Sequence, residues 1–166
     1  MERSKEYVIQ FAGLKDGEHE FEFQLGLEFI RSFNNDEVLD AKITAHLTLN
    51  KKPDMLEVQL RVEGKLNVAC DRCDKPLDIE IEGQQRQLFK VGEREEYDNE
   101  EVVIISANDY EIDVSEHLYE CIILALPIRK VHKKKDCDPI ALAALEAVST
   151  NNELESDPRW EALKAL

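Results

Sequence analysis

Long apolar runs are missing from this sequence of 166 residues; the longest, Cys121 to Ile128, has eight. A membrane-spanning helix needs about 20, and the opening MERSKEYVIQ has no apolar stretch of leader-peptide length. A soluble, cytoplasmic protein with no membrane attachment is expected. Glycine is scarce, at six residues, and no Gly-rich phosphate loop is present. G-x-S-x-G and H-E-x-x-H are absent too. The many carboxylates sit mostly in presumptive loops without a paired acid and base. These absences argue against an enzyme and against a small-molecule substrate. Positive charge is also short: 21 Lys and Arg against 36 Asp and Glu leave a net charge of −15. Bare phosphate backbones repel such a surface, so any RNA contact must be local or made through a basic protein. With only four cysteines in a cytoplasmic chain, thiols or metal ligands are favoured over disulfides.

What is present suffices for one domain. Hydrophobic residues make up 43%, and a chain of this size hides roughly 70% of its extended surface on folding. From Leu56 to Val68 apolar and polar residues alternate, with Gly64 as the one gap, which predicts a half-buried antiparallel strand. Ile43, Ala45, Leu47 and Leu49 alternate likewise, and Asn50 to Asp54 reads as the turn between the two strands. Shorter strands are expected at Tyr7–Phe11, Phe21–Leu25 and Val102–Ile105, and a longer one from Leu77 to Val91. Residues 26–35 suit a short helix, and GEREEYDNEE at 92–101 a solvated acidic loop, with the further role of attracting a basic partner.

Helices come later. Val114, Leu118, Cys121, Ile122 and Ala125 recur at helical spacing after Asp113 and Glu116, a capping-box spacing, and Pro127 follows as the stop. Asp138-Pro139 opens a second helix over 138–147 and Asp157-Pro158 a third over 159–166. The expected fold class is α+β: an antiparallel, barrel-like β-sheet in the N-terminal two thirds and helices in the C-terminal third. The expected division is one domain over 1–147, a polar linker over 148–156 and an amphipathic helix over 157–166.

Cys70-Asp71-Arg72-Cys73 is the sharpest local feature. It falls between two strands, where a two-residue spacer lets both sulfurs face one ion, as in a zinc knuckle. Zinc takes four ligands, and His132 and Cys137, in the loop between two helices, are the best candidates for the other half. Cys70, Cys73, His132 and Cys137 are thus the expected metal ligands, holding about one zinc per chain. Free thiols in ordinary loops are the alternative, and redox chemistry a weaker one, since such a pair usually sits at a helix N-terminus. Cys121 reads as an inert core thiol. His117 lies at ligand spacing from it without further ligands nearby. His46 falls on the polar face of a strand and His19 in a loop.

Arg129, Lys130, Lys133, Lys134 and Lys135 form the one strongly basic run, beside the proposed metal loop, and are candidate RNA contacts; a solvated charge run is the plainer reading. Trp160, Leu163 and Leu166 make a small apolar stripe, expected to dock on a partner rather than on its own domain.

VACDRCDKPLDIEIEG, YEIDVSEHLYECIILALPIRKVHKKKDCDP and DPRWEALKAL together resemble the YceD-like family, the large ribosomal RNA subunit accumulation proteins. The likeness is closest over 66–83, 110–139 and 157–166. It implies a cytoplasmic bacterial protein that supports accumulation of large-subunit ribosomal RNA without enzymatic activity. The family's cysteine motif carries over onto Cys70, Cys73 and Cys137. Some members have further cysteines where this chain has His132, and Cys121 lies outside the motif. The expected partner is therefore a precursor of the large ribosomal subunit, through its RNA or through a basic ribosomal protein. The rival reading is an acidic adaptor or chaperone for such a protein without RNA contact.

Overall fold

Period-two alternation becomes long strands. The computed structural model describes residues 5–92 and 102–148, leaving aside the side chains of Lys5 and Lys134. Strands β1 (Val8–Ile9), β2 (Gly17–Gly26), β3 (Val38–Lys51), β4 (Met55–Ala69), β5 (Pro76–Val91), β6 (Val102–Ile105) and β7 (Ile112–Asp113) are joined by helices α1 (Leu27–Arg31), α2 (Ser115–Leu124) and α3 (Pro139–Val148). A five-stranded sheet has the order β2-β3-β4-β5-β6, and β1 pairs with β7 in a separate ribbon. Three antiparallel pairings build the sheet, whereas β6 lies parallel to β5.

The sheet differs from expectation in two ways. It is mixed, not wholly antiparallel, because β6 joins the edge of the sheet parallel to β5. It also does not close into a barrel: β2 and β6 are its two ends. One face is instead closed by α1, α2 and the β1–β7 ribbon, so the core is a layer between sheet and helices.

That core follows directly from the alternation. Ile43, Ala45, Leu47 and Leu49 of β3 and Leu56, Val58, Leu60 and Val62 of β4 are buried on the inner face. Their neighbours point the other way, with His46 opposite Arg61 and Thr48 opposite Gln59 on an uncovered polar face. Gly64, the gap in the apolar set, has φ +155°, and a Cβ there would lie 2.3 Å from the Lys42 carbonyl oxygen. Only glycine permits that approach. Gly83 of β5 serves α2 in the same way, since an added Cβ would come within 2.9 Å of Ala125 and 3.0 Å of the Cys121 carbonyl oxygen.

Helix α2 buries Leu118, Cys121 and Ile122 on the sheet, the apolar set at helical spacing. Its start departs from the capping box. Asp113 is in β7, opposite Val8, and Val114 stands at the N-cap. The Asp113 carboxylate accepts the Ser115 N–H at 2.9 Å, a local turn bond. The strand expected over Tyr7–Phe11 shortens to Val8–Ile9, and the short helix suggested within 26–35 is α1. At α3, Asp138 accepts the Ile140 N–H at 2.9 Å, as its Asp-Pro start implies. Among the described residues no helix is long and apolar enough to cross a membrane. The acidic loop, the linker from residue 149 and the C-terminal helix lie outside the described residues.

Candidate metal centre

The end of β4 and the start of β5 present a pair of thiols, and the chain after α2 brings the other two candidate ligands to them. The turn from Cys70 to Lys75 is closed by backbone bonds from Cys70 N–H to the Lys75 carbonyl and from Asp74 N–H to the Cys70 carbonyl, both 2.9 Å. Asp74 takes φ +57° to complete it, a conformation Asp tolerates better than most residues. Cys70 and Cys73 are thereby turned inward, 2% and 7% exposed. Cys137 follows a 3₁₀ turn at Lys134–Asp136 and is 4% exposed.

The ligand atoms of Cys70, Cys73, His132 and Cys137 all lie within 4.8 Å of one another. Four ligands around one tetrahedral zinc, with bonds of 2.0–2.3 Å, would stand about 3.5–3.8 Å apart. The Cys73 Sγ to His132 Nδ1 separation is 3.5 Å, on that edge length. The imidazole is also oriented for the task. Its Nε2–H donates to the Pro76 carbonyl at 3.0 Å, which leaves the Nδ1 lone pair for the cluster. Three sulfurs and one imidazole form a donor set suited to a borderline-soft divalent ion. The group fits a metal ion.

The electrostatics favour thiolate at Cys70 and Cys73. Burial pushes the Cys70 thiol up, but backbone N–H donors of His132, Arg72 and Cys73 outweigh it and bring the pKa to about 6. The His132 N–H reaches the Cys70 sulfur at 3.4 Å. Cys73 is lowered by the backbone N–H groups of Asp138 and Lys75. Cys137 is raised by its own burial and by the neighbouring thiols, although Arg72 Nη1 donates to its sulfur at 3.5 Å. His132 is raised, chiefly by its bond with Cys73. An ion entering here would take over the role these donors and protons share.

Spacing in the sequence gives no sign of a further device. Asp71, between the two cysteines, brackets Lys130: the Lys130 N–H donates to Asp71 Oδ2 at 2.6 Å, and the Asp71 N–H donates to the Lys130 carbonyl at 2.7 Å. This bracket aligns the two halves of the ligand set, which are 59 residues apart at Asp71 and Lys130.

The other candidates separate clearly. Arg129, Lys133 and Lys135 are exposed. Lys130 is held by Asp71 and pairs with Glu37 at 3.4 Å. Lys134 is in the same 3₁₀ turn. Cys121 is 3% exposed within the sheet core, and burial raises its thiol pKa. His117 is outside the metal group and packs edge-on to Phe89. His46 is on the uncovered sheet face, 3.8 Å from Glu22. His19, expected in a loop, is in β2, where its Nε2–H donates to the Lys15 carbonyl at 2.8 Å. Trp160, Leu163 and Leu166 lie outside the described residues.

Comparison with curated proteins and with solved structures returned no match. Comparison with protein families matched residues 58–166 to the family described as Large ribosomal RNA subunit accumulation protein YceD. That span contains all four residues of the cluster. The chain belongs to the YceD family, which is linked to large-subunit ribosomal RNA accumulation; no enzymatic activity is indicated.

Proposed function

We propose that this YceD-family chain is a non-enzymatic, cytoplasmic factor in assembly of the large ribosomal subunit, with one structural zinc bracing a local RNA-contacting loop. Cys70, Cys73, His132 and Cys137 would hold the ion, which supplies a fixed cross-link between the sheet and the segment after α2. Four protein ligands leave no open position for a substrate or water, which favours a structural role over a catalytic one. The observation that carries the reading is the position of His132 within the run Arg129–Lys135 and of Cys137 two residues after it. Fixing the ligands also fixes the loop's backbone.

Arg129, Lys133 and Lys135 are exposed and can approach phosphates; Lys134 belongs to the same run. Lys130 contributes less, because its ammonium pairs with Glu37. A net charge of −15 keeps such contact local. Replacing Lys133, Lys134 and Lys135 by Glu should release the protein from precursor particles in sucrose gradients and lower large-subunit RNA. Unchanged sedimentation and RNA levels would reduce the loop to solvated surface.

One observation favours the rival reading, an acidic adaptor for a basic ribosomal protein. The uncovered sheet face gathers Glu18, Glu20 and Glu22 of β2 with Glu63, Glu80 and Glu82 of β4 and β5, of which Glu63 and Glu82 pair with Arg61 and Glu80 with Lys65. Binding of purified protein to RNA fragments and, separately, to basic ribosomal proteins distinguishes the two.

A further inference from the structure

Among the described residues, helix α3 is attached to the molecule by one side only. Ala141 and Leu142 pack on the buried cysteines, and no α3 residue is itself buried. Ile140 and Val148 are 81% and 76% exposed. Ile140, Ala144 and Val148 recur every four residues and so form one apolar stripe, which Ala143 and Ala147 widen. Glu146 is the helix's single charged residue. A helix apolar on nearly every side is normally buried, and a contiguous exposed patch marks a contact.

The size of the stripe selects the occupant. A ten-residue helix is about 15 Å long. One face of it is well below the roughly 800 Å² per partner of a stable interface, so a second copy or a free partner would hold it weakly. A tethered segment has no such handicap, because a short linker presents it at an effective concentration near millimolar. This chain carries one. The described residues end at Val148, the last of α3, and residues 149–166 follow. Their apolar side chains Trp160, Leu163 and Leu166 repeat every third residue. The eight residues 149–156 reach up to about 27 Å, against roughly 8–10 Å between the axes of packed helices.

We propose that residues 157–166 fold back onto the Ile140–Ala144–Val148 stripe of α3 within the same chain. The contact is independent of whether the basic loop binds RNA.

Trp160 is the only tryptophan, so its fluorescence reads this contact in the full chain. In the native protein its emission should be blue-shifted, and acrylamide quenching severalfold weaker than in the same protein unfolded in urea. Neither value should change on dilution. Ile140→Glu and Val148→Glu alter exposed positions and should restore free quenching with the circular dichroism spectrum otherwise kept. Leu163→Glu, within the segment itself, should do the same. Free quenching in the unmutated native protein overturns the proposal. So does protection that survives all three substitutions, which places the segment elsewhere. Protection lost on dilution overturns it in favour of a second copy.

Discussion

The sheet side and the α3 side of this molecule bury very different amounts of apolar surface. The first gathers twenty-five buried residues from the sheet, α1, α2 and the β1–β7 ribbon. The second has three buried cysteines, with Leu77, Val131, Ala141 and Leu142 partly buried around them. Ordering a residue costs about 1–2 kcal/mol of backbone entropy. The sheet side offsets this by burial, at about 25 cal/mol per Å² of apolar surface. Three thiols and four half-covered side chains give little of that. A metal ion held by the cluster would supply the difference, since structural zinc contributes about 10–16 kcal/mol in zinc-finger peptides. One fold thus contains a region stabilised by burial and a region that a bound ion would stabilise.

Removing the metal should break this contrast most severely. Chelation, or Cys73→Ser, should abolish hydrogen-exchange protection over 139–148 while β3, β4 and β5 stay protected. Loss of protection in both regions together would make them one cooperative unit. Truncation in the sheet core should act the opposite way. Leu118→Ala or Ile122→Ala, at fully buried positions, should cost about 2–5 kcal/mol in urea unfolding, with metal content unchanged. Asp71→Ala sharpens the contrast at its boundary, because it deletes the 2.6 Å bond to the Lys130 N–H and leaves every ligand in place. Metal affinity should fall, by less than the roughly 10–100-fold lost with a partner that bonds a ligand directly, as measured by competition with a chromophoric chelator. Arg61→Ala should do least. Arg61 pairs with Glu82 at 3.0 Å and Glu63 at 3.5 Å on the uncovered face, with its side chain 53% exposed. Such pairs are worth about 0–1 kcal/mol, and neither region should register the change in exchange.

Legibility in the sequence followed the range of each interaction. Strand β4 could be read residue by residue, because alternation from Leu56 to Val68 is local. Asp138-Pro139 marked the start of α3 for the same reason, a cap being a bond to the second residue on. The Asp113–Glu116 spacing misled, since β1 recruits Asp113 into the β7 ribbon and Val114 takes the cap position. His19 was legible as a strand residue, since Glu18, Glu20 and Glu22 alternate with His19, Phe21 and Phe23, and the ladder pairs it with Leu49. The cluster lies between these cases. C-x-x-C and His-x4-Cys each stand out by spacing, while their meeting is long-range.

The sequence by itself determined the alternating faces of β3 and β4, the apolar stripe of α2, the glycine gap at 64 and the presence of two half-sites. Each depends on the intrinsic period of a strand or helix, or on residues a few positions apart. Tertiary structure alone decided the rest. It chose an open, mixed sheet over a barrel by covering one face with helices. It set Asp71 against Lys130 and aimed the His132 Nδ1 at Cys73 by fixing Nε2 on the Pro76 carbonyl. These pairs are 56 to 59 residues apart. No periodicity spans that distance, so only the packed chain brings them within bonding range.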